Sequence, residues 1–198
     1  MRIISGQSRG RKLFTPGNTG GIRPTSDRSR EALFSILGQR VSRACILDLY
    51  CGTGALGLEA LSRGAKVVLF IDNGRPALEL SRKNLALCNQ RLKAVNTSRS
   101  RIIKHDLRRG LSLPQEMRQN CTTGFDIIFL DPPYGKGLAE KTLNDIDKSD
   151  LCASGCMVIA EESREADLPH NFSVQLIFHD KRCYGATCFW FYTCSGDE

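Results

Sequence analysis

The sequence has no run of about 18 apolar residues, so it offers no candidate for a membrane-spanning helix. Its first residues, Met1-Arg2-Ile3-Ile4-Ser5-Gly6, lack the apolar block of a signal peptide, and the expected location is the cytoplasm. Histidine is scarce, at three residues, and none of the nine cysteines forms a Cys-x-x-Cys pair. Cys152 and Cys156 lie four apart, and Cys183, Cys188 and Cys194 are spread along apparent strands. That pattern does not suit a zinc site, so no metal is expected. An odd number of cysteines in a chain without an export signal points to free thiols, mostly buried as small apolar side chains. Internal repeats and low-complexity segments are also missing.

Acidic charge is lacking in one place. The 198-residue chain carries a formal net charge of +7. Residues 1–43 hold nine basic residues, among them Arg2, Arg9, Arg11, Lys12, Arg23, Arg28 and Arg30, against only Asp27 and Glu31. The remainder is neutral, so the whole excess sits near the start and points to a polyanion partner. The length fits one domain with a small appendage.

The most informative stretch is Phe125-Asp-Ile-Ile-Phe-Leu-Asp-Pro-Pro-Tyr-Gly135. Phe125 and Ile127 to Leu130 read as a strand buried on both faces. Pro132 and Pro133 lack the N–H that a sheet ladder needs, so the strand stops there. An acid, two rigid residues and an aromatic are thereby placed at the carboxyl end of a buried strand, where open parallel sheets bind ligands. These residue types suit an aromatic amine, whose lone pair is delocalised into its ring. Asp131 can accept one of its N–H groups and the Pro132 carbonyl the other, while Tyr134 stacks on the base.

Around this stretch, strands and helices alternate. Two short strands about Gly6 and Gly10 suggest a basic hairpin arm over residues 1–22. Thr25 or Ser26 can cap a helix to about Gln39, with Ala32, Leu33, Ile36 and Leu37 at helical spacing. Arg23, Arg28 and Arg30 crowd its start as candidate phosphate or cofactor-carboxylate contacts. Strands are expected at 45–49, 66–71, 102–103, 125–130 and 157–160, and helices near 58–61, 76–89 and 138–146, with a helix and loop in 108–123. Residues 174–178 and 187–193 should pair antiparallel, being too close for a crossover helix. The expected class is α/β: a doubly wound, Rossmann-like sheet, mostly parallel with an antiparallel C-terminal hairpin, over residues 23–198.

Gly52-Thr-Gly54-Ala-Leu-Gly57 follows the first buried strand and matches G-x-G-x-x-G, which alone allows a dinucleotide. Asp48 argues against a pyrophosphate there and suits a cation such as an amino-acid ammonium. Asp72 ends the next strand and can hold a ribose diol, and Asp106 ends the third and can accept from an adenine amino group. An ammonium, a ribose and an adenine without phosphate describe S-adenosylmethionine.

The segment Asp48-Leu-Tyr-Cys-Gly-Thr-Gly54 resembles motif I of class I methyltransferases, and Asp131-Pro-Pro-Tyr134 resembles the motif of amino-group methyltransferases. The chain start, Arg9-Gly-Arg-Lys-Leu13, Arg23-Pro-Thr25, Arg28, Arg30-Glu31 and Gly54 to Ala65 resemble bacterial 16S rRNA guanine-N2 methyltransferases of the RsmD type. The likeness runs along nearly the whole chain, although Asn73-Gly74 replaces a more usual basic partner and residues 90–101 look inserted. It implies transfer of a methyl group from S-adenosylmethionine to a guanine N2 in 16S rRNA of assembling 30S subunits; a monomer is expected. By carry-over, Asp48, Cys51, Gly52, Gly54, Asp72, Asn73, Asp106 and Leu107 would bind cofactor. Asp131, Pro132, Pro133 and Tyr134 would hold the base, and Arg2, Arg9, Arg11, Lys12, Arg23 and Arg28 would grip rRNA. Three other readings remain open: a DNA adenine-N6 methyltransferase, a non-catalytic RNA-binding protein, and, disfavoured by Asp48, a nicotinamide dehydrogenase.

Overall fold

The computed structural model describes residues 1–16, 26–89, 100–113 and 120–195. It divides into two compact units, Met1–His105 and Asp106–Glu198.

In the first unit, helix α1 (Asp27–Leu37) starts at Ser26, whose hydroxyl accepts the Ser29 N–H, and stops at Gly38, which has a φ of 52°. A short 3-10 turn, Gly38–Val41, carries the chain on. The cap is the expected one, Thr25 lying outside the described residues. The buried face is Leu33, Phe34 and Leu37, whereas Ile36, expected on the apolar stripe, is exposed. Strands β1 (Cys45–Leu49), β2 (Val67–Asp72) and β3 (Arg101–Lys104) pair in parallel in the order β3-β2-β1. β1 is buried at every position, which is what helices on both faces of a parallel sheet require. Helix α2 (Ala55–Ser62) joins β1 to β2 and is buried throughout. Helix α3 (Arg75–Asn89) joins β2 to β3 and buries Ala77, Leu78, Ser81, Asn84 and Cys88, one stripe at helical spacing.

Residues 1–13, the described start of the basic arm, fold back on themselves as a hairpin. Arg2 and Lys12 bridge antiparallel, and the Ile3 N–H donates to the Arg11 carbonyl at 2.9 Å. Ile3 and Leu13 point into the core. Glu59 and Ser62 of α2 anchor the hairpin. The Ile4 and Ser5 N–H groups donate to the Glu59 carboxylate at 2.7 and 3.0 Å, and the Ser8 N–H donates to Ser62 Oγ at 2.9 Å. Gly6 passes so close that any Cβ there would overlap the Ser62 carbonyl. Arg30 corrects the sequence reading: it is buried rather than a phosphate contact, because its guanidinium donates to the Arg2 carbonyl and to Asp27 Oδ1. It ties the arm to α1.

In the second unit, β4 (Phe125–Leu130) pairs in parallel with β5 (Cys152–Ser163). β7 (Thr187–Cys194) pairs antiparallel with both β5 and β6 (Leu176–Tyr184), as expected of the last two strands, giving the order β4-β5-β7-β6. Helix α4 (Leu138–Asp147) joins β4 to β5. β5 is much longer than the expected 157–160. Cys152 faces Phe125 while Met157 faces Ile127, so residues 153–156 bulge outward around Gly155, whose φ is 70°. β6 starts later than expected because the Asp147 carboxylate accepts the N–H groups of Ser173 to Leu176, holding that backbone at the end of α4. Of the expected helix and loop in 108–123, the described part holds a 3-10 turn, Leu107–Arg109, and residues 114–119 lie outside.

Cys183 and Cys188 correct the free-thiol expectation, for they face each other across the β6–β7 hairpin and form a disulfide. The other cysteines are free, and all but Cys152 are buried. Among the described residues, no helix is long and apolar enough to cross a membrane.

Glu59 is fully buried and also pairs with Arg63 at 2.8 Å. Glu59→Ala leaves the arm's N–H groups and Arg63 without their acceptor. It is expected to lower stability by about 3 kcal/mol, read from the urea midpoint, and to open the arm to trypsin. An unchanged midpoint would show that the arm does not depend on this carboxylate.

Candidate active-site residues

The glycine turn belongs to the first unit. After β1 the backbone enters the left-handed region at Tyr50 (φ 58°), Gly52 (φ 54°) and Gly54 (φ 77°). Such a conformation is rare for tyrosine and disfavoured for a chain without support. The support comes from the side chains of β2 and α3. The Gly52 N–H donates to Asp72 Oδ2 at 2.9 Å, and the other Asp72 oxygen accepts from the Gly74 N–H at 2.8 Å. Ser81 Oγ donates to the Gly52 carbonyl at 2.7 Å. Asn84 Nδ2 donates to the Thr53 carbonyl at 2.9 Å and to the Phe14 carbonyl at 3.0 Å, while its Oδ1 accepts the Phe14 N–H at 2.7 Å. One buried amide thus holds both the glycine turn and the end of the arm. The sequence reading missed Ser81 and Asn84. Their signal was two polar residues, one helical turn apart, on the otherwise apolar stripe of α3.

Asp48 lies beneath this turn. It is buried, and its Oδ2 accepts the Gly57 N–H at 2.9 Å in the first turn of α2. Gly57 is glycine for want of room, since a Cβ would stand 2.3 Å from the Phe70 ring and 2.9 Å from Asp48 Oδ2. Burial pushes the Asp48 carboxyl up to about 7. Cys51 is buried, its thiol 3.6 Å from Ser81 Oγ, and burial raises it well above the ordinary thiol range, so it is no nucleophile. Asn73 is exposed beside the half-buried Asp72.

This donor set can be tested against the adenosine cofactor. A Cβ on Gly52 would meet nothing nearer than the Tyr50 carbonyl at 3.8 Å, so the turn presents bare backbone to open space. Each Asp72 oxygen keeps a lone pair beyond its backbone bond, which a ribose diol can use. A carboxyl already occupies the Gly57 N–H that a phosphate would seek at a helix start. The set fits an uncharged sugar better than a pyrophosphate.

The second unit carries the other candidates. Asp131 leaves β4 half-buried, Pro132 is buried, and Pro133 and Tyr134 are exposed. The Tyr134 hydroxyl donates to Glu161 Oε1 at 2.7 Å and lies 3.1 Å from Thr187 Oγ1. Burial and the Glu161 carboxylate hold the phenol protonated, far above its ordinary range. The ring is therefore pinned at its hydroxyl end by β5 and β7, with its face left partly open. Glu161 and Thr187 were not picked out from the sequence, because the contact exists only once β5 and β7 pair. Asp106 caps the Leu107–Arg109 turn and holds Arg108 by two bonds of 2.8 Å. Leu107 is buried, and its carbonyl accepts from Lys141 Nζ at 3.5 Å.

Among the basic candidates, Arg2, Arg9, Lys12 and Arg28 are exposed and Arg11 is half-buried. Arg2 stands 3.7 Å from Asp27. Arg23 lies outside the described residues.

Over residues 1–193 the chain matches the family described as Conserved hypothetical protein 95. The chain belongs to that family. Two relatives, both described as "Ribosomal RNA small subunit methyltransferase D", bear on its activity. The one from Escherichia coli is 38% identical, covering 85% of this chain and 78% of its own. The one from Haemophilus influenzae is 34% identical, covering 88% and 86%. The solved structure of an Escherichia coli methyltransferase candidate, yhhF, superposes with a TM-score of 0.76 at 33% identity, covering 100% of this chain and 99% of its own. The family member's fold is thus the class I methyltransferase fold, α/β and mostly parallel, with the antiparallel C-terminal strands expected from the sequence.

Asp48 makes stability depend on pH. Its folded-state value of about 7 lies above the ordinary carboxylate value of 3.8, so the native state keeps a proton that the unfolded chain loses. That contribution is full below about 4 and is lost as pH rises through about 7, at up to about 1.4 kcal/mol per pH unit. Denaturation of the wild type and of Asp48→Asn across this range should show the slope in the wild type and a flatter line in the variant. Parallel lines would mean that Asp48 ionises freely.

Proposed function

We propose that the acceptor is the exocyclic N2 of a guanine in small-subunit rRNA, and that the donor is S-adenosylmethionine: the chain is an S-adenosylmethionine-dependent rRNA methyltransferase. The observation that carries this reading is the Asp131-Pro-Pro-Tyr134 turn at the end of β4, in a chain whose relatives at 38% and 34% identity are named as rRNA methyltransferases. The substrate is rRNA in an assembling 30S particle, and the protein works in the cytoplasm as a monomer.

The cofactor, when bound, supplies a methyl on a sulfonium, a group that departs readily. Gly52, Gly54 and Asp72 would hold it, the Asp72 carboxylate accepting from the ribose hydroxyls, and Asp106 and Leu107 are the candidates for its adenine. The chain's remaining task is placement. Asp131 and the Pro132 carbonyl each accept one N–H of the target amine, turning its lone pair toward the methyl group. The Asp131 carboxylate also stabilises the positive charge that grows on the nitrogen. Tyr134, pinned through its hydroxyl by Glu161, offers its ring for stacking, worth roughly 1–3 kcal/mol. Drawing the base out of its stack costs a few kcal/mol. Phosphate contacts by Arg2, Arg9, Arg11, Lys12, Arg23 and Arg28 offset that cost and make binding fall with salt.

Asp131→Ala separates binding from chemistry. The variant should bind S-adenosylmethionine as the wild type does in calorimetry, with turnover reduced about 100-fold or more. Undiminished turnover would remove Asp131 from the mechanism, and lost cofactor binding would assign it a different role.

A further inference from the structure

We propose that Cys152, Cys156 and Cys194 form a thiolate site for one soft metal ion, with zinc as the biological candidate. The sequence alone argued against a metal, because these three cysteines have none of the spacings of a zinc motif. The fold brings them together all the same. The bulge around Gly155 returns the chain so that Cys152 and Cys156, at its two ends, come close. Cys194 ends β7, and its neighbour Thr193 pairs with Met157, the residue after Cys156. All three sulfur atoms lie within 4.8 Å of one another.

Geometry and chemistry both suit a metal. A tetrahedral zinc with bonds of about 2.3 Å needs sulfur atoms about 3.8 Å apart, so closure moves them by at most about 1 Å. Side-chain rotation can supply this, and the bulge leaves Gly155 with no neighbouring atom within 4 Å of its Cβ position. Thiolates favour zinc over the hard cations. Cys156 and Cys194 are buried and Cys152 is half-buried, so the fourth position faces the Cys152 side and takes water. Binding displaces the three S–H protons to solvent, with no change of oxidation state. The ion would fasten the end of β7 to the start of β5, a structural role apart from methyl transfer. Cys45, Cys51, Cys88 and Cys121 are not in this cluster.

The test uses the full chain purified with reductant and without chelator. Elemental analysis after adding zinc should find one equivalent per chain, and thiol titration should show three thiols protected by zinc. The double variant Cys156→Ala/Cys194→Ala should lose that equivalent, while Cys88→Ala keeps it. Protection in the wild type decides the matter even if the double variant fails to fold. The proposal is overturned if reduced wild type takes up no zinc, if zinc protects no thiols, or if the folded double variant retains its zinc.

Discussion

Three left-handed residues within five, Tyr50, Gly52 and Gly54, set the constraint that the first unit is built around. A backbone so shaped does not persist alone, and three of its polar groups are claimed by side chains from elsewhere in the unit. Asp72 takes the Gly52 N–H, Ser81 gives to the Gly52 carbonyl, and Asn84 gives to the Thr53 carbonyl. Beneath it, Gly57 lets α2 lie against Phe70 and receive Asp48. The turn is thereby held as a rigid shelf of backbone.

The same fastening makes the basic arm part of the enzyme rather than a loose tail. Asn84 bonds both the N–H and the carbonyl of Phe14, tying that residue to the helix that steadies the glycine turn. Glu59, Ser62 and Arg30 hold the rest of the hairpin. Its exposed Arg2, Arg9 and Lys12 therefore stand at fixed positions on a docked hairpin.

The buried strands were legible because they are short, mostly apolar runs that end at turn residues, as at Cys45–Leu49 and Phe125–Leu130. The two motifs were legible because their residue types are scarce in combination. What escaped the sequence depended on partners far along the chain. Arg30 reads as a surface cation until Asp27 and the Arg2 carbonyl enclose it. Cys152-Ala-Ser-Gly155 reads as a loop, yet it opens β5, because a bulge lets the ladder resume at Met157. The Cys183–Cys188 pairing follows from hairpin register, which local pattern does not supply. Ser81 and Asn84 look like lapses in an apolar stripe until the turn they serve is seen.

The claim on which all this rests is that the chain places a methyl group on a guanine amine of small-subunit rRNA. Labelled S-adenosylmethionine offered with 30S particles, naked 16S rRNA and duplex DNA, followed by nucleoside analysis, tests it directly. The account predicts label in N2-methylguanosine from rRNA. Label in N6-methyladenine from DNA, or none in any substrate despite cofactor binding, would contradict it.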